Sequence, residues 1–153
     1  MLDTRAALAA VVRHAVDLED DYDDVEPVVT ALAASGDTSL VPHVREALDR
    51  FLDAGNFYGR DLVASVLAGI DGVAALPVLL RASARDLGDD QDGLQTEIIE
   101  LMLTDRVVSR RVAQEFAAGA TPELRRVGQW ALGFVAARDV EPPDRPEPID
   151  QPR

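Results

Sequence analysis

The sequence predicts an all-α fold in which short helical hairpins stack side by side into a solenoid. The first observation is an internal repeat, since residues 32–48 align without a gap with residues 67–83, at a shift of 35 residues. That period is typical of helical-hairpin repeats. The second is the recurrence of apolar residues at intervals of three and four along most of the chain. Because one hairpin cannot bury its own apolar stripe, the units are expected to stack on their neighbours.

The periodicity predicts about eight helices, and capping residues or glycines mark the ends of the first four. Helix one begins at Asp3 or Thr4, helix two ends at Gly36, helix three follows Asp37, and helix four follows the pair Gly55-Asn56. The apolar stripes of these four helices are Leu8, Val11, Val12 and Ala15; Val25, Val28, Val29 and Leu32; Val41, Val44, Leu48 and Phe51; and Leu62, Val63, Val66 and Leu67.

The last four helices have equally clear start signals. A turn at residues 71–72 is expected to open helix five, a polar loop over residues 86–93 precedes helix six, and Asp105 caps helix seven. Helix eight begins at Thr121-Pro122, where a capping hydroxyl precedes a proline at the first helical position. The stripes are Val73, Leu76, Leu79 and Leu80; Leu94, Ile98, Leu101 and Met102; Val108, Val112 and Phe116; and Leu124, Val127, Ala131, Leu132 and Val135.

The end of the chain differs in composition from the rest. Residues 141–153 are rich in proline and contain one large apolar residue, Ile149, so they cannot offset the entropy of ordering. The sequence therefore predicts a single helical domain over residues 1–138 and a disordered tail over residues 139–153.

One motif carries a family resemblance. Residues 60–77 read RDLVASVLAGIDGVAALP, in which an arginine opens a helix, small residues fill its middle, an Asp-Gly turn follows and a proline stands early in the next helix. This pattern resembles the bacterial HEAT-like repeat of the PBS-lyase type. In a second copy Arg125 matches Arg60, and in a degenerate third copy Arg111 stands in the position of Pro77. The resemblance covers most of residues 25–135 and implies an α-solenoid of HEAT-like hairpins in a right-handed superhelix.

Composition excludes some kinds of site and favours a location. There is no cysteine, so disulfides and thiolate metal ligands are excluded. We expect no secretory signal, and no apolar run approaches the ~20 residues that span a bilayer. The predicted location is therefore the cytoplasm. Every basic residue is arginine, which favours a GC-rich, bacterial source.

Charge is distributed unevenly along the chain. Residues 1–105 contain 21 acidic and 7 basic side chains, a net charge of −14, whereas residues 106–138 contain 2 acidic and 6 basic side chains, a net charge of +4. An acidic field repels nucleic acid and anionic membrane and accelerates encounter with a basic protein. High negative charge also promotes solubility, and this simpler explanation stays open. The basic cluster is Arg106, Arg110, Arg111, Arg125 and Arg126, and without interleaved aromatics it does not favour nucleic-acid binding.

Two acidic segments are candidate partner-binding sites. The first is the run Asp20, Asp21, Tyr22, Asp23 and Asp24, in which the tyrosine would be an aromatic anchor among carboxylates. It can equally be a solvated linker before the next helix. The second is the loop with Asp89, Asp90 and Asp92, where long insertions on a rigid scaffold often bind ligands. Its resemblance to a calcium loop fails at Gly88 and Ile99, which stand where ligands are required, so we predict no metal site.

The neighbouring aromatics Phe57 and Tyr58 form a third candidate contact. Successive helix residues do not share a face, so one of the two rings must point away from the core. That ring would serve as an exposed partner contact. The alternative is that one of them packs at the helix entry as a hydrophobic staple.

Catalysis finds no support in the sequence. His14 and His43, the two histidines, lie on different predicted helices and lack a metal-binding spacing, and glycine-rich phosphate loops and nucleophile elbows are missing. We therefore predict a non-catalytic protein-interaction module without a cofactor, a monomer when free. Its most specific form is an acidic stoichiometric inhibitor, such as an immunity protein that covers a basic site on a toxin. The alternative is a general HEAT-repeat adaptor, because the family includes adaptors, inhibitors, nucleic-acid binders and a few enzymes.

Overall fold

The computed structural model describes residues 2–17 and 25–139, and these residues form helices and connecting turns without a strand. Two 3₁₀ helices, Thr38–Leu40 and Gly72–Ala75, lead directly into the α-helices that follow them. The α-helices are α1 (Thr4–Val16), α2 (Val25–Ala34), α3 (Val41–Ala54), α4 (Phe57–Asp71), α5 (Leu76–Ser83), α6 (Asp92–Thr104), α7 (Arg106–Ala117) and α8 (Pro122–Asp139). The all-helical prediction is confirmed for this part of the chain.

The number of separate helices differs slightly from the expected eight. The 3₁₀ turn Gly72–Ala75 follows α4 directly and leads into α5, so residues 57–83 form one continuous helical stretch although α4 itself ends at Asp71. The described part of the chain thus has seven continuous helical stretches. Gly72 caps α4 with a positive φ of 60° and an N–H bond to the carbonyl of Ala68, so the chain turns at residues 71–72 as the sequence predicts.

Capping side chains fix the helix starts where the sequence predicts them. The Asp3 carboxylate accepts a hydrogen bond from the Ala6 N–H, and Asp105 accepts one from Val108. The hydroxyl of Thr121 accepts one from the N–H of Leu124. Each contact satisfies a backbone donor that the first helical turn leaves without an internal partner.

The core consists mainly of aliphatic side chains, contributed by all eight α-helices, together with Phe51, Met102 and Phe116. Five residues that the apolar stripes place in the core are at most 6% exposed: Leu67, Leu76, Leu79, Leu101 and Val112. Glycine allows the closest helix contact, because a Cβ at Gly128 of α8 would lie 2.1 Å from the backbone nitrogen of Ala117 in α7. The two helices are therefore packed backbone against backbone.

Helices α2, α4 and α6 lie side by side, with α4 in the middle. Near the ends of α2 and α4, a Cβ at Gly69 would come 2.5 Å from the Cβ of Ala33. Between α4 and α6, Ser65 bonds to Glu97. This row of three helices presents one face to solvent, and that face contains the largest described depression of the surface.

The continuous stretch Phe57–Ser83 has the length and apolar composition of a membrane-crossing helix, with a mean hydropathy of 2.1 in its most apolar window. The sequence predicts no apolar run of membrane-spanning length. Half of that window is buried inside the protein, where Leu67 and Leu76 are fully covered. A helix that is apolar on every side is buried in this way when it forms the centre of a core.

Candidate partner-binding groove

The largest described depression is a groove of about 750 Å³ across helices α2, α4 and α6. We call it the acidic groove. Each of the three helices contributes residues spaced three or four apart, so that one face of every helix lines it. The lining residues are Val25, Glu26, Val29, Thr30, Ala33, Ala34, Tyr58, Asp61, Leu62, Ser65, Ala68, Gly69, Glu97, Glu100, Leu101 and Thr104.

The floor of the acidic groove is apolar and built largely from small residues. Ala33, Ala68 and Gly69 let the helices approach closely and leave little side-chain volume above their backbones. Leu62 and Leu101 add larger apolar surface between them. Such a floor can accept the side chains of a second molecule and shield polar contacts at its rim from water.

Four carboxylates and no arginine line the acidic groove. Glu26 and Glu100 are exposed, whereas Asp61 and Glu97 are half-buried. The hydroxyl of Ser65 donates a hydrogen bond to Glu97 and fixes that side chain against α4. Three smaller depressions on the surface each include at least one arginine. The acidic groove therefore combines the largest volume with a single sign of charge, which concentrates the local field.

The helix ends reinforce this charge. Ala34 and Thr104, at the C-terminal ends of α2 and α6, line one end of the groove. A helix C-terminus carries a partial negative charge on its unpaired carbonyls. Neither helix has a basic residue in its last turn to offset it. A cation at this end of the groove would thus be attracted both by Glu100 and by the two helix ends.

A fully buried arginine connects the groove to the loop between α5 and α6. The Arg60 side chain is 0% exposed, and its Nη1 donates a 3.0 Å hydrogen bond to Oδ1 of Asp89. Its Nη2 donates to the second carboxylate oxygen of Asp89, and its Nε donates a 2.9 Å hydrogen bond to Asp61. The Asp89 side chain is therefore largely buried against Arg60, although the sequence predicts Asp89 as a partner contact.

The pKa values of the two carboxylates that contact Arg60 are shifted in opposite directions. The paired hydrogen bonds from Arg60 hold the pKa of Asp89 below its ordinary value. Burial raises the pKa of Asp61, even though Arg60 acts against this increase. Arg60 contacts both oxygens of Asp89 but only one oxygen of Asp61. The second Asp61 oxygen faces α6, 2.9 Å from where a Cβ at Gly93 would lie.

The loop over residues 84–91 is tied down by its own side chains. Gln91, which adopts a positive φ of 62°, donates hydrogen bonds to the carbonyls of Ser83 and Arg85. Asp90 and Asp92 are exposed, as a partner-binding role would require. Within residues 2–17 and 25–139 no group of three His, Asp or Glu side chains is placed to hold a metal ion.

The structure separates the two predicted aromatic contacts. Phe57 is 47% exposed, whereas Tyr58 is half-buried, lines the acidic groove, and has its hydroxyl 2.8 Å from Nε2 of His14. Of the two, Phe57 is thus the ring that points away from the core. His14 is itself buried, although the sequence suggested only an ordinary helix position. The acidic run Asp20, Asp21, Tyr22, Asp23 and Asp24 lies outside the described residues.

Sequence reasoning missed the groove carboxylates. Glu26 ends the acidic run of residues 19–26, whereas Asp61, Glu97 and Glu100 belong to no acidic run. Their common signal is position, because each lies three or four residues from another lining residue of its own helix. That signal becomes specific only when three helices are placed side by side.

No family model matches the sequence, and neither the curated proteins nor the solved structures include a significant match to it. The resemblance to HEAT-like repeats therefore rests on the motif of residues 60–77 and its copies.

Proposed function

We propose that this protein is a non-catalytic interaction module that binds a basic partner protein in the acidic groove. The observation that carries the proposal is the groove itself, in which four carboxylates and no arginine line a volume of about 750 Å³. The whole chain has a net charge of −13. Long-range attraction would steer a basic surface towards this face, and the apolar floor would supply the short-range contacts.

We also infer that the helices form an α-solenoid of HEAT-like hairpins in a right-handed superhelix. The sequence repeat of 35 residues supports this, since α3 and α5 both carry a proline in their first turn and both follow a 3₁₀ turn. The row formed by α2, α4 and α6 supports it further. Stacked repeats create extended surfaces of this kind, on which partners bind. A cytoplasmic location and a bacterial source remain predictions from composition.

The more specific form of the proposal is a stoichiometric inhibitor, such as an immunity protein that covers a basic site on a toxin. This role is favoured by the small size of the chain, its strong acidic charge and a groove that packed helices hold rigid, because a rigid acidic surface can cover a positively charged site without losing conformational entropy. The alternative is an adaptor that holds a basic protein without affecting its activity. The same groove would serve both roles.

The test compares two triple variants with the same change of charge. The groove variant carries Glu26→Gln, Glu97→Gln and Glu100→Gln, and the loop variant carries Asp86→Asn, Asp90→Asn and Asp92→Asn. Amide oxygens still accept hydrogen bonds, so the contact of Ser65 with residue 97 and the loop turns are retained. Circular dichroism and thermal unfolding would check that both variants fold as the natural chain does.

The natural chain and both variants would be immobilised, and the amount of each protein that they capture from an extract of the source organism would be compared. The captured protein would then be purified, and its binding to the natural chain would be measured at two salt concentrations. We expect a basic protein whose association slows as salt rises and whose capture fails with the groove variant alone. Capture that is unaffected by the groove variant contradicts the proposal. Loss of capture with the loop variant alone would indicate that the partner binds at Asp90 and Asp92 instead. Titrating the captured protein's activity separates inhibitor from adaptor, since an inhibitor abolishes it at equal molar amounts.

A further inference from the structure

The carboxylates of the acidic groove follow a regular spacing set by the way α4 and α6 pack. Asp61 lies against Gly93, and Ser65 bonds to Glu97. Both contacts join residues that are 32 positions apart, so the two helices run in the same direction and in register. Positions on α4 and α6 can therefore be measured along one common axis.

Along that axis the three carboxylates descend in steps. Asp61 stands at the level of Gly93, and Glu97 follows four residues later, which is about 6 Å at 1.5 Å per residue. Glu100 follows three residues after that, about 4.5 Å further. All three line the acidic groove. Measured along the helix axis, the residues that carry these charges thus follow one another at rises of about 6 Å and then about 4.5 Å, the first on α4 and the other two on α6.

These two steps match one face of another α-helix. Residues i, i+4 and i+7 of a helix lie on one stripe and rise by the same two distances. An extended segment places its same-face side chains about 6.7 Å apart at every step, so three of them overrun the second interval. The ten residues of α2 span about 15 Å, which gives the groove room for roughly three turns.

The remaining lining suits an amphipathic helix. Leu62 and Leu101 lie between the carboxylates and offer apolar contacts, and the small side chains of Ala33 and Gly69 leave space for a second helix. The raised pKa of Asp61 shows that Arg60 leaves its burial incompletely compensated. An incoming cation near Asp61 would compensate it further.

We propose that the acidic groove holds one amphipathic helix of the partner, with basic side chains at i, i+4 and i+7 facing Asp61, Glu97 and Glu100. This inference rests on the proposed function and specifies its ligand. The partner's basic stripe contacts the carboxylates, and its adjoining apolar stripe lies on the floor of the groove.

Two alanine-based peptides of about 15 residues, long enough for partial helix formation, test this inference. Each contains three arginines, placed at i, i+4 and i+7 in the stripe peptide and at i, i+2 and i+4 in the alternating peptide. The alternating peptide puts its arginines on one face only when extended. Fluorescence anisotropy would measure binding of both to the natural chain, the groove variant and the loop variant at low salt.

We expect the stripe peptide to bind about tenfold more tightly than the alternating peptide, as three aligned charge pairs would produce. The preference should vanish with the groove variant and persist with the loop variant. Equal or tighter binding of the alternating peptide, lost with the groove variant, would overturn the helical ligand and leave the proposed function standing. Absence of binding, or binding unaffected by the groove variant, would overturn the helical ligand and count against the acidic groove as the binding site.

Discussion

Replacing Arg60 by methionine should destabilise the protein far more than removing an exposed arginine. Methionine keeps an unbranched side chain in the buried space. It removes the positive charge and every hydrogen bond that Arg60 donates to Asp61 and Asp89. The Arg60 side chain is fully buried, and the side chain of Asp89 is 11% exposed. The variant Arg60→Met therefore leaves a largely buried carboxylate without its cation.

The magnitude follows from the exposure of the two carboxylates. Removing one partner of a buried ion pair costs about 3–5 kcal/mol, because the remaining charge is uncompensated. Asp61 is 32% exposed and regains some contact with water, so most of the loss comes from Asp89. We expect the free energy of unfolding to fall by about 3 kcal/mol at neutral pH.

Urea unfolding followed by circular dichroism would measure the loss, with Arg85→Met as the matched control. Arg85 pairs with Asp53 at 2.8 Å, but the two side chains are 49% and 74% exposed. Such a pair contributes at most about 1 kcal/mol. Equal losses in the two variants would refute the reasoning, since the buried pair would then stabilise no more than a surface pair.

The effect should also depend on pH. Because Arg60 lowers the folded-state pKa of Asp89 below its ordinary value of 3.8, the stability that Asp89 contributes is present above that value. It is lost as the pH falls through the lowered folded pKa. In Arg60→Met a protonated Asp89 no longer leaves an unpaired charge, so the stability gap to the natural chain should narrow below about pH 4. If the difference in unfolding free energy between Arg60→Met and the natural chain stays constant from pH 7 to pH 3, the loss of stability comes from packing rather than from the unpaired charge.

Three substitutions and one truncation test the packing of the domain and the role of the tail. Leu67→Ala should lower the free energy of unfolding by about 2–5 kcal/mol, since Leu67 is fully buried, and a loss below about 0.5 kcal/mol would contradict that burial. Gly128→Ala should lower the melting temperature, because the added Cβ would overlap the backbone of α7. Gly133→Ala should raise it, because no atom lies within 4 Å of the added Cβ and alanine favours the helix. The opposite order of melting temperatures would show that α7 and α8 are not in close contact. Ending the chain after Val140 should leave the melting temperature unchanged, and a fall of many degrees would show that the tail stabilises the domain.

Local signals in the sequence were sufficient for the helices and for much of the core. The caps at Asp3, Asp105 and Thr121 act through neighbours three residues away, so residues close in sequence contain all the information. The burial of Leu67 and Leu76 follows from the period of 3.6 residues in the same way. The turn predicted at residues 71–72 is where α4 ends, since Gly72 caps the helix with a positive φ of 60°, but the 3₁₀ turn that follows leads directly into α5.

The candidate groove depended on contacts between residues far apart in sequence. Asp89 reads as one acid among several in its loop, and only its distance to Arg60 shows that it is an internal partner. Glu97 becomes part of a charged surface only because α6 packs beside α4, which brings it to Ser65. The sequence by itself determined the helices and the excess of negative charge, since both depend on neighbouring residues and composition. The tertiary structure decided which carboxylates are buried and which line a groove, because burial and local field depend on the side chains that packing places around each charge.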